Sequence, residues 1–189
     1  MKSPIKIIVE GGNLSGKTSI VKELEKKFVH SIIVTLHGYY HPFFLENIKN
    51  SKAALRYHRQ RLLSFLPIFK DIKFEELIFN RFHLTASVYL KLFYNLEDYF
   101  LEIEKVLNNI GVFLILADFN NEALEKRLKE RKEMNKEAPF GDDNLSKIKK
   151  KRDLYRLFFE KSKIQNKLLI DNSQITANQA CDYIQEKIK

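Results

Sequence analysis

Cysteine and long apolar runs are scarce in this sequence. Its 189 residues include one cysteine, Cys181. No disulfide framework can form within one chain, so we expect a reducing compartment. No segment approaches the roughly 18 uninterrupted apolar residues of a membrane span, and the opening stretch "MKSPIKIIVEGG" has no apolar run long enough for a signal peptide. We therefore expect a cytoplasmic protein without a membrane partner.

Linkers, internal repeats and low-complexity tracts are also lacking. Apolar residues make up 44% of the chain, enough for a substantial core, and we predict a single domain over residues 1–189. Acidic residues are outnumbered by basic ones, with a formal net charge of +9. This excess suits a nucleotide or a nucleic acid, but lysine-rich helix faces exposed to solvent would give the same charge. We do not expect nucleic acid to be the partner.

Short apolar runs alternate with longer stretches of helical periodicity, which predicts an α/β fold with a parallel sheet covered on both faces. The predicted strands are Ile5–Glu10, Ser31–Leu36, Glu75–Asn80, Val112–Ala117 and Lys167–Asp171. The first predicted helix follows the first strand, and the second spans Leu45–Leu66 and ends before Pro67. The third runs from Leu84 through Leu96 as far as Gly111. The others begin after Asn120 or Asn121, near Leu145, and at a capping box formed by Thr176 and Gln179.

The stretch "VEGGNLSGKTSI" has the G-x-x-x-x-G-K-[ST] spacing of a phosphate-binding loop. It lies between a predicted strand and a predicted amphipathic helix, so backbone N–H groups and the helix N-terminus can surround phosphate oxygens. We expect Lys17 to reach the β- and γ-phosphates of ATP and Thr18 to bind Mg²⁺. The predicted ATP-binding residues are Gly11, Gly12, Asn13, Leu14, Ser15, Gly16, Lys17, Thr18 and Ser19.

Two other classes of nucleoside triphosphatase lack support. The D-x-x-G and N-K-x-D motifs of a switch GTPase are absent, and the strand ending at Asp118 continues into a basic helix, unlike that of a motor ATPase. In this basic segment the cations resemble those of a lid that closes over phosphates, although a solvated basic helix would look similar. We predict a lid at about residues 127–144, with Arg127 and Arg131 catalytic and Arg152 as a further lid residue.

Nearly the whole chain resembles the thymidylate kinases and, more broadly, the deoxynucleoside and nucleoside monophosphate kinases. The similar stretches are "IKIIVEGGNLSGKTSIVKEL", "ELIFNRFHLTASVYL", "VFLILADFNNEALEKRLKER", "KKRDLYRLF" and "KLLIDNSQITANQACDYI". The resemblance implies a three-layer P-loop kinase fold, with a five-stranded parallel sheet in the order 2-3-1-4-5 and a basic lid. It also implies ATP and Mg²⁺ as cofactors and phosphoryl transfer to a nucleoside monophosphate, with thymidylate the leading candidate. Because this family is commonly dimeric, the resemblance also suggests a homodimer.

The resemblance further implies an acceptor site. Arg81 matches the arginine of the family's D-R-[YH]-x-x-S-x-x-x-[YF] motif and would bridge the donor and acceptor phosphates. Tyr57 and Arg61 have the spacing of a pair that stacks on the base and donates to its carbonyl. The residues expected to bind the acceptor are Glu10, His37, Tyr57, Arg61, Arg81, Thr85 and Tyr89.

Two positions depart from the family pattern. Asn80 replaces the aspartate of the D-R motif, and the segment after the second strand has His37 but no arginine to hold an acceptor phosphate. Three interpretations remain open: an active nucleotide kinase with altered contacts, a deoxynucleoside kinase that needs no phosphate clamp, and a relative that binds nucleotide with little catalysis.

Overall fold

The computed structural model describes residues 4–36, 50–73, 75–134 and 144–188. These residues form five strands: β1 (Lys6–Glu10), β2 (Ile32–Thr35), β3 (Leu77–Asn80), β4 (Phe113–Asp118) and β5 (Asn166–Asp171). Within the same ranges there are seven helices: α1 (Lys17–Lys27), α2 (Ser51–Asp71), α3 (His83–Tyr94), α4 (Leu101–Ile110), α5 (Asn121–Glu133), α6 (Leu145–Lys161) and α7 (Ala177–Ile188). Each predicted strand is confirmed, with ends displaced by one or two residues.

The strands form one parallel sheet in the order β2-β3-β1-β4-β5, which confirms the predicted order. The register places Val9 of β1 opposite Asn80 of β3 and Ile115 of β4. Because all the strands run in one direction, their carboxyl ends share one edge of the sheet. The loop after β1 and the residues after β3 therefore lie side by side, and ligands bind at such an edge in open α/β sheets.

Helices cover both faces of the sheet, as predicted. On one face α2, α3, α4 and α6 contribute to a large core, in which Phe69, Phe79 and Phe82 are fully buried and Phe69 stacks on Phe79 at 4.3 Å between ring centroids. On the other face α1 and α7 pack with Ile20 and Ile184 against the strands. Alternate residues of β1, β2, β3 and β4 supply the two cores, because successive side chains point to opposite faces.

The predicted end of α2 before Pro67 is wrong, because the helix continues to Asp71. Proline removes one backbone donor, but Pro67 lies on the exposed side, where the freed carbonyl can meet water. On the opposite side Leu66 is 7% exposed and Phe69 is fully buried. Burial of these side chains outweighs the local preference of proline to end a helix.

The predicted continuous helix through Leu96 is also wrong, since α3 ends at Tyr94 and α4 begins at Leu101. Asn95 has a left-handed conformation with φ 50°, which asparagine tolerates, and it closes α3. Phe100 is fully buried, and its N–H donates to Asp98 Oδ1 at 2.7 Å. This turn inserts Phe100 into the core and reorients α4.

Local capping follows the sequence closely. Asn120 caps α5 by accepting from the Ala123 N–H at 2.8 Å. The predicted capping box is confirmed, because Thr176 N–H donates to the Gln179 side chain and Gln179 N–H donates to Thr176 Oγ1. Across the described ranges no helix is long and apolar enough to cross a membrane.

Candidate active site

The loop between β1 and α1 has a backbone that two glycines make possible. Gly11 has φ 149°, and a Cβ there would lie 2.5 Å from Ala117 O. Gly16 has φ 77°, and a Cβ there would lie 2.5 Å from Asn172 Nδ2. Any other residue at these positions would combine backbone strain with a steric clash. Gly16 also precedes α1 without a side-chain cap, so the first N–H groups of α1 are available to an anion.

A cavity of about 560 Å³ opens beside this loop, at the carboxyl edge of the sheet. It brings together predicted residues from the loop, the end of β3 and α5. The predicted residues in its lining are Asn13, Leu14, Gly16, Lys17, Thr18, Ser19, Arg81, Arg127 and Arg131. Glu130, Met134, Asn172, Ile175 and Ala177 complete the lining.

Lys17 lies at the inner wall of this cavity with 6% of its side chain exposed. Its Nζ donates to Gly12 O at 3.0 Å. Burial lowers the pKa of Lys17 well below its ordinary value, the nearby Arg81 guanidinium lowers it further, and Glu10 opposes the shift. A phosphate group at this position would supply the negative charge that stabilises the protonated amine.

Arg81 follows β3 in a strained conformation. Its φ is 76°, which is unfavourable for a residue with a Cβ, and its N–H donates to Val9 O at 2.9 Å. Strain of this kind costs about 1–3 kcal/mol and is concentrated at functional sites. Asn80, immediately before it, is 7% exposed, and its Oδ1 has no hydrogen-bond partner among the residues described. The end of β3 therefore presents a guanidinium and a buried amide oxygen beside the phosphate loop.

Glu10 is fully buried and its carboxylate organises the start of α3. It accepts from Phe82 N–H at 2.7 Å, from Thr85 N–H at 3.3 Å and from Thr85 Oγ1. Thr85 Oγ1 also lies 2.8 Å from the hydroxyl of Tyr155 on α6, and burial raises the pKa of Tyr155. Phe82, the N-cap residue of α3, provides no side-chain cap, so Glu10 serves in its place. The predicted substrate roles of Glu10 and Thr85 stay predictions, and the structure gives both residues a role in packing.

The predicted base-reading residues lie together on α2. Arg61 Nη1 donates to the Tyr57 hydroxyl at 2.8 Å, as their spacing of four residues predicts. On α3, the hydroxyl of Tyr89 accepts from Lys151 Nζ at 3.2 Å, and this ammonium also lies 5.0 Å from the centroid of the Tyr89 ring. Tyr57, Arg61 and Tyr89 lie outside the lining of the cavity described above. His37 lies outside the described residues.

Solved structures with the same architecture come from proteins that bind or phosphorylate nucleotides and nucleosides. The YorR protein of Bacillus subtilis, in complex with phosphorylated GDP, has a TM-score of 0.68 and 19% identity, over 96% of this chain and 94% of that one. Deoxyadenosine kinase from M. mycoides, with dCMP and dCDP bound, has a TM-score of 0.63 and 18% identity, over 97% and 98%. Thymidylate kinase from Candida albicans has a TM-score of 0.62 and 13% identity, over 98% and 92%.

The chain has the P-loop nucleotide kinase fold. The expected resemblance in fold is therefore confirmed. No protein-family profile and no curated protein matches the sequence. The fold is thus recognised through its three-dimensional arrangement, where the loop after β1 and the residues after β3 occupy one edge of the sheet.

Within this P-loop kinase fold, the three arginines predicted for the lid have different surroundings. Arg127 donates to Leu14 O at 2.9 Å and to Asn172, and its pKa is lowered by burial. Arg131 lines the cavity, and its Nη1 has no hydrogen-bond partner among the described residues. Arg152, 8% exposed, donates to Asn121 Oδ1 at 2.8 Å and lies beside the ring of Phe119. Residues 135–143 of the predicted lid lie outside the described residues.

Two residues near the site were missed by the sequence analysis. Lys151 is 6% exposed, and its charge contributes to the lowered pKa of Lys17. Asn172 is 4% exposed, and its side-chain N–H donates to Ser15 O. Lys151 stands in a run of three lysines, which gives no signal for the buried one. Asn172 follows the last strand, where the carboxyl-edge rule could have indicated it.

The carboxylates near the cavity do not form a metal-binding cluster among the residues described. In the part of the chain that the structure describes, no group of three histidine, cysteine, aspartate or glutamate side chains could hold a metal ion. Glu10 is occupied by α3, and Asp118 pairs with Arg156. Thr18, which lines the cavity, carries a neutral hydroxyl oxygen, and Asn80 carries a buried neutral amide oxygen; both kinds of oxygen can bind Mg²⁺.

Proposed function

We propose that this protein transfers the γ-phosphoryl group of ATP to a (deoxy)nucleoside monophosphate, with thymidylate the leading candidate. The observation that carries the proposal is that Lys17, Thr18 and Arg81 border one cavity at the carboxyl ends of two neighbouring parallel strands. This arrangement gives a triphosphate a loop of backbone donors, an ammonium group and a guanidinium group. Such an environment suits phosphoryl transfer, where positioning and charge neutralisation carry most of the catalysis.

Each residue then has a defined part in the transfer. Lys17 holds the β- and γ-phosphates, and Thr18 offers its hydroxyl to Mg²⁺, which neutralises charge on the phosphate oxygens when bound. An oxygen of the acceptor phosphate forms a new bond to the γ-phosphorus, the bond from this phosphorus to the β–γ bridging oxygen breaks, and ADP leaves. Arg81, which the sequence resemblance assigns to a bridge between the donor and acceptor phosphates, would stabilise the charge on the transferred group.

The cation missing after the second strand has a candidate replacement in Lys151. Its ammonium is buried beside Tyr89 and is near enough to Lys17 to lower the pKa of that lysine. One turn away along the same two helices, Thr85 of α3 and Tyr155 of α6 form a second hydrogen-bonded pair. A phosphate of the acceptor, held between Arg81 and Lys151, would compensate this positive charge. This argument supports a monophosphate acceptor.

Two alternatives have specific support. A deoxynucleoside kinase is favoured by the segment after β2, whose sequence contains no arginine. A nucleotide-binding protein with little catalysis is favoured by Asn80, because a neutral amide attracts Mg²⁺ less than a carboxylate does. The acceptor and the amount of ADP formed distinguish the three functions.

The test is ADP formation from Mg·ATP with a panel of four deoxynucleoside monophosphates and the four corresponding nucleosides, with products identified by mass spectrometry. We expect a nucleoside diphosphate from thymidylate, and no product from the variant Lys17→Met, which controls for contaminating kinases. Lys151→Met should raise KM for the monophosphate about 10- to 100-fold, because a charge-assisted contact is lost. Product from nucleosides alone would establish the second function, and absence of product with every acceptor would establish the third.

A further inference from the structure

The phosphate loop is fastened to α5 and to the residues after β5 by the side chains of Arg127 and Asn172. Arg127 Nη1 donates to Leu14 O at 2.9 Å, and Asn172 Nδ2 donates to Ser15 O. The two side chains also bind each other, since Arg127 Nη1 donates to Asn172 Oδ1 at 3.0 Å and Nη2 donates to Asn172 O at 2.6 Å. The N–H of Asn172 donates to Asp118 O at 3.1 Å, which connects the group to the end of β4.

The loop needs such support because its backbone is unfavourable in isolation. Leu14 has φ 64°, a left-handed conformation that a residue with a Cβ rarely adopts. In a trans peptide the C=O of one residue and the N–H of the next point in opposite directions. Holding Ser15 O against the Asn172 side chain therefore fixes the orientation of the Gly16 N–H in the loop. These contacts thus fix the orientation of the loop's peptide groups, which are the groups that the loop would offer to a phosphate.

The side-chain types at the two positions match this task. The planar guanidinium of Arg127 reaches three acceptors with two of its nitrogens, which the single ammonium of lysine could not do in the same geometry. The amide of Asn172 both donates and accepts, whereas aspartate would place an oxygen against Ser15 O. The close approach of Asn172 to Gly16 also explains why a Cβ has no room there.

We infer that Arg127 and Asn172 form a clamp that holds the phosphate loop in its phosphate-binding shape, so that Arg127 is a positioning residue and not a lid cation. This inference rests on the proposed function for the identity of the ligand. The shape of the loop, however, can be measured on the protein without nucleotide, and the two claims can fail separately.

Hydrogen exchange of the full chain tests the clamp directly, with mass spectrometry of peptides that cover residues 11–19. Arg127→Lys keeps the positive charge and removes the two guanidinium nitrogens that donate hydrogen bonds. Asn172→Asp keeps the shape of the side chain and removes its N–H donor. We expect each to accelerate exchange of the loop amides at least about tenfold, because a lost hydrogen bond opens a local structure by about that factor. The double variant should exchange no faster than the faster single variant, because either change releases the same clamp.

Arg131→Lys is the matched control, since Arg131 lies one turn further along α5 and lines the same cavity. It should change loop exchange less than about twofold. Peptides from α7 should exchange alike in all the proteins, which excludes global unfolding as the cause. Loop exchange in Arg127→Lys and Asn172→Asp that equals that of Arg131→Lys would overturn the clamp.

Calorimetric binding of inorganic tripolyphosphate gives the functional readout. We expect Arg127→Lys and Asn172→Asp to weaken binding about tenfold or more, because the ligand must then order the loop itself. Unchanged binding in both variants would overturn the clamp as a device for phosphate binding. Absence of binding to the wild-type protein would count against the proposed function, and the exchange experiment would still decide whether the clamp exists.

Discussion

Replacing Thr85 with valine removes one hydroxyl from the buried network that joins β1, α3 and α6. The valine side chain has nearly the same shape, so the change isolates the hydrogen bonds. Thr85 Oγ1 binds the Glu10 carboxylate and the Tyr155 hydroxyl, and Glu10 and Thr85 are fully buried. Because the site is buried, bulk water cannot replace the lost hydroxyl as a partner of Glu10 and Tyr155. The variant should therefore lose stability even if the site binds substrate normally.

The size of the loss follows from the groups left without a partner. An unsatisfied buried polar group costs about 1–3 kcal/mol, and more if it is charged. Glu10 retains two backbone donors, at 2.7 and 3.3 Å, which limits the loss on that side. We therefore expect the free energy of unfolding to fall by about 2–4 kcal/mol. For a chain of 189 residues this is a decrease of roughly 5–15 °C in Tm.

The measurement is urea unfolding followed by circular dichroism, with Thr85→Ser as the control. Serine keeps the hydroxyl and removes a methyl group, so it should cost only about 1 kcal/mol. The difference between the two variants then reports on the hydroxyl. A valine variant as stable as the serine variant would refute the reasoning. If its KM for the acceptor also rose, Thr85 would be a substrate contact, as the sequence resemblance implies.

Three further outcomes are expected. The pKa of Lys17 in the folded protein lies below its ordinary value of 10.5, so between these two values the unfolded chain binds more protons and stability rises with pH. The free energy of unfolding of the wild-type protein, relative to that of Lys17→Met, should therefore increase with pH up to about 10.5. A difference that stays constant with pH would contradict this expectation. Tyr57→Ala should weaken acceptor binding by about 1–3 kcal/mol if Tyr57 stacks on the base, with ATP affinity unchanged; equal calorimetric losses for both ligands would indicate a packing role. Asn80→Asp should lower the Mg²⁺ concentration for half-maximal rate, because a carboxylate attracts the cation more strongly; no improvement in a folded variant would show that the site is built around the amide.

The sequence predicts the fold well because its determinants are local or periodic. Each strand is a short apolar run, and the G-x-x-x-x-G-K-T spacing lies within one uninterrupted stretch after Glu10. The parallel order then brings the loop and Arg81 to one edge without any further information. Pro67 shows the limit of local rules, since the burial of Leu66 and Phe69 extends a helix that proline alone would end.

The details of the site depend on partners that are distant along the chain. Glu10 and Thr85 are separated by 75 positions, and Arg127 and Leu14 by 113. No spacing rule predicts that a carboxylate suggested for substrate binding becomes a helix cap. The same holds for Lys151, whose burial distinguishes it from its neighbours in the lysine run only once α6 is packed on α3. Residue type and motif thus predict where a candidate site lies, and packing determines which contacts each side chain makes.

The charges at this edge of the sheet link stability to ligand binding. Lys17 is buried near Arg81, Lys151 and Arg131, and all three lower its pKa. Among the described residues Glu10 opposes this shift, and its oxygens bind the first residues of α3. Protein folding therefore brings these cationic side chains near one another. A polyphosphate is the chemical group that would relieve this repulsion, since it places several anionic oxygens between the cations. Because a ligand that binds only the folded state stabilises it, these cations would favour the folded protein in the presence of such a polyphosphate.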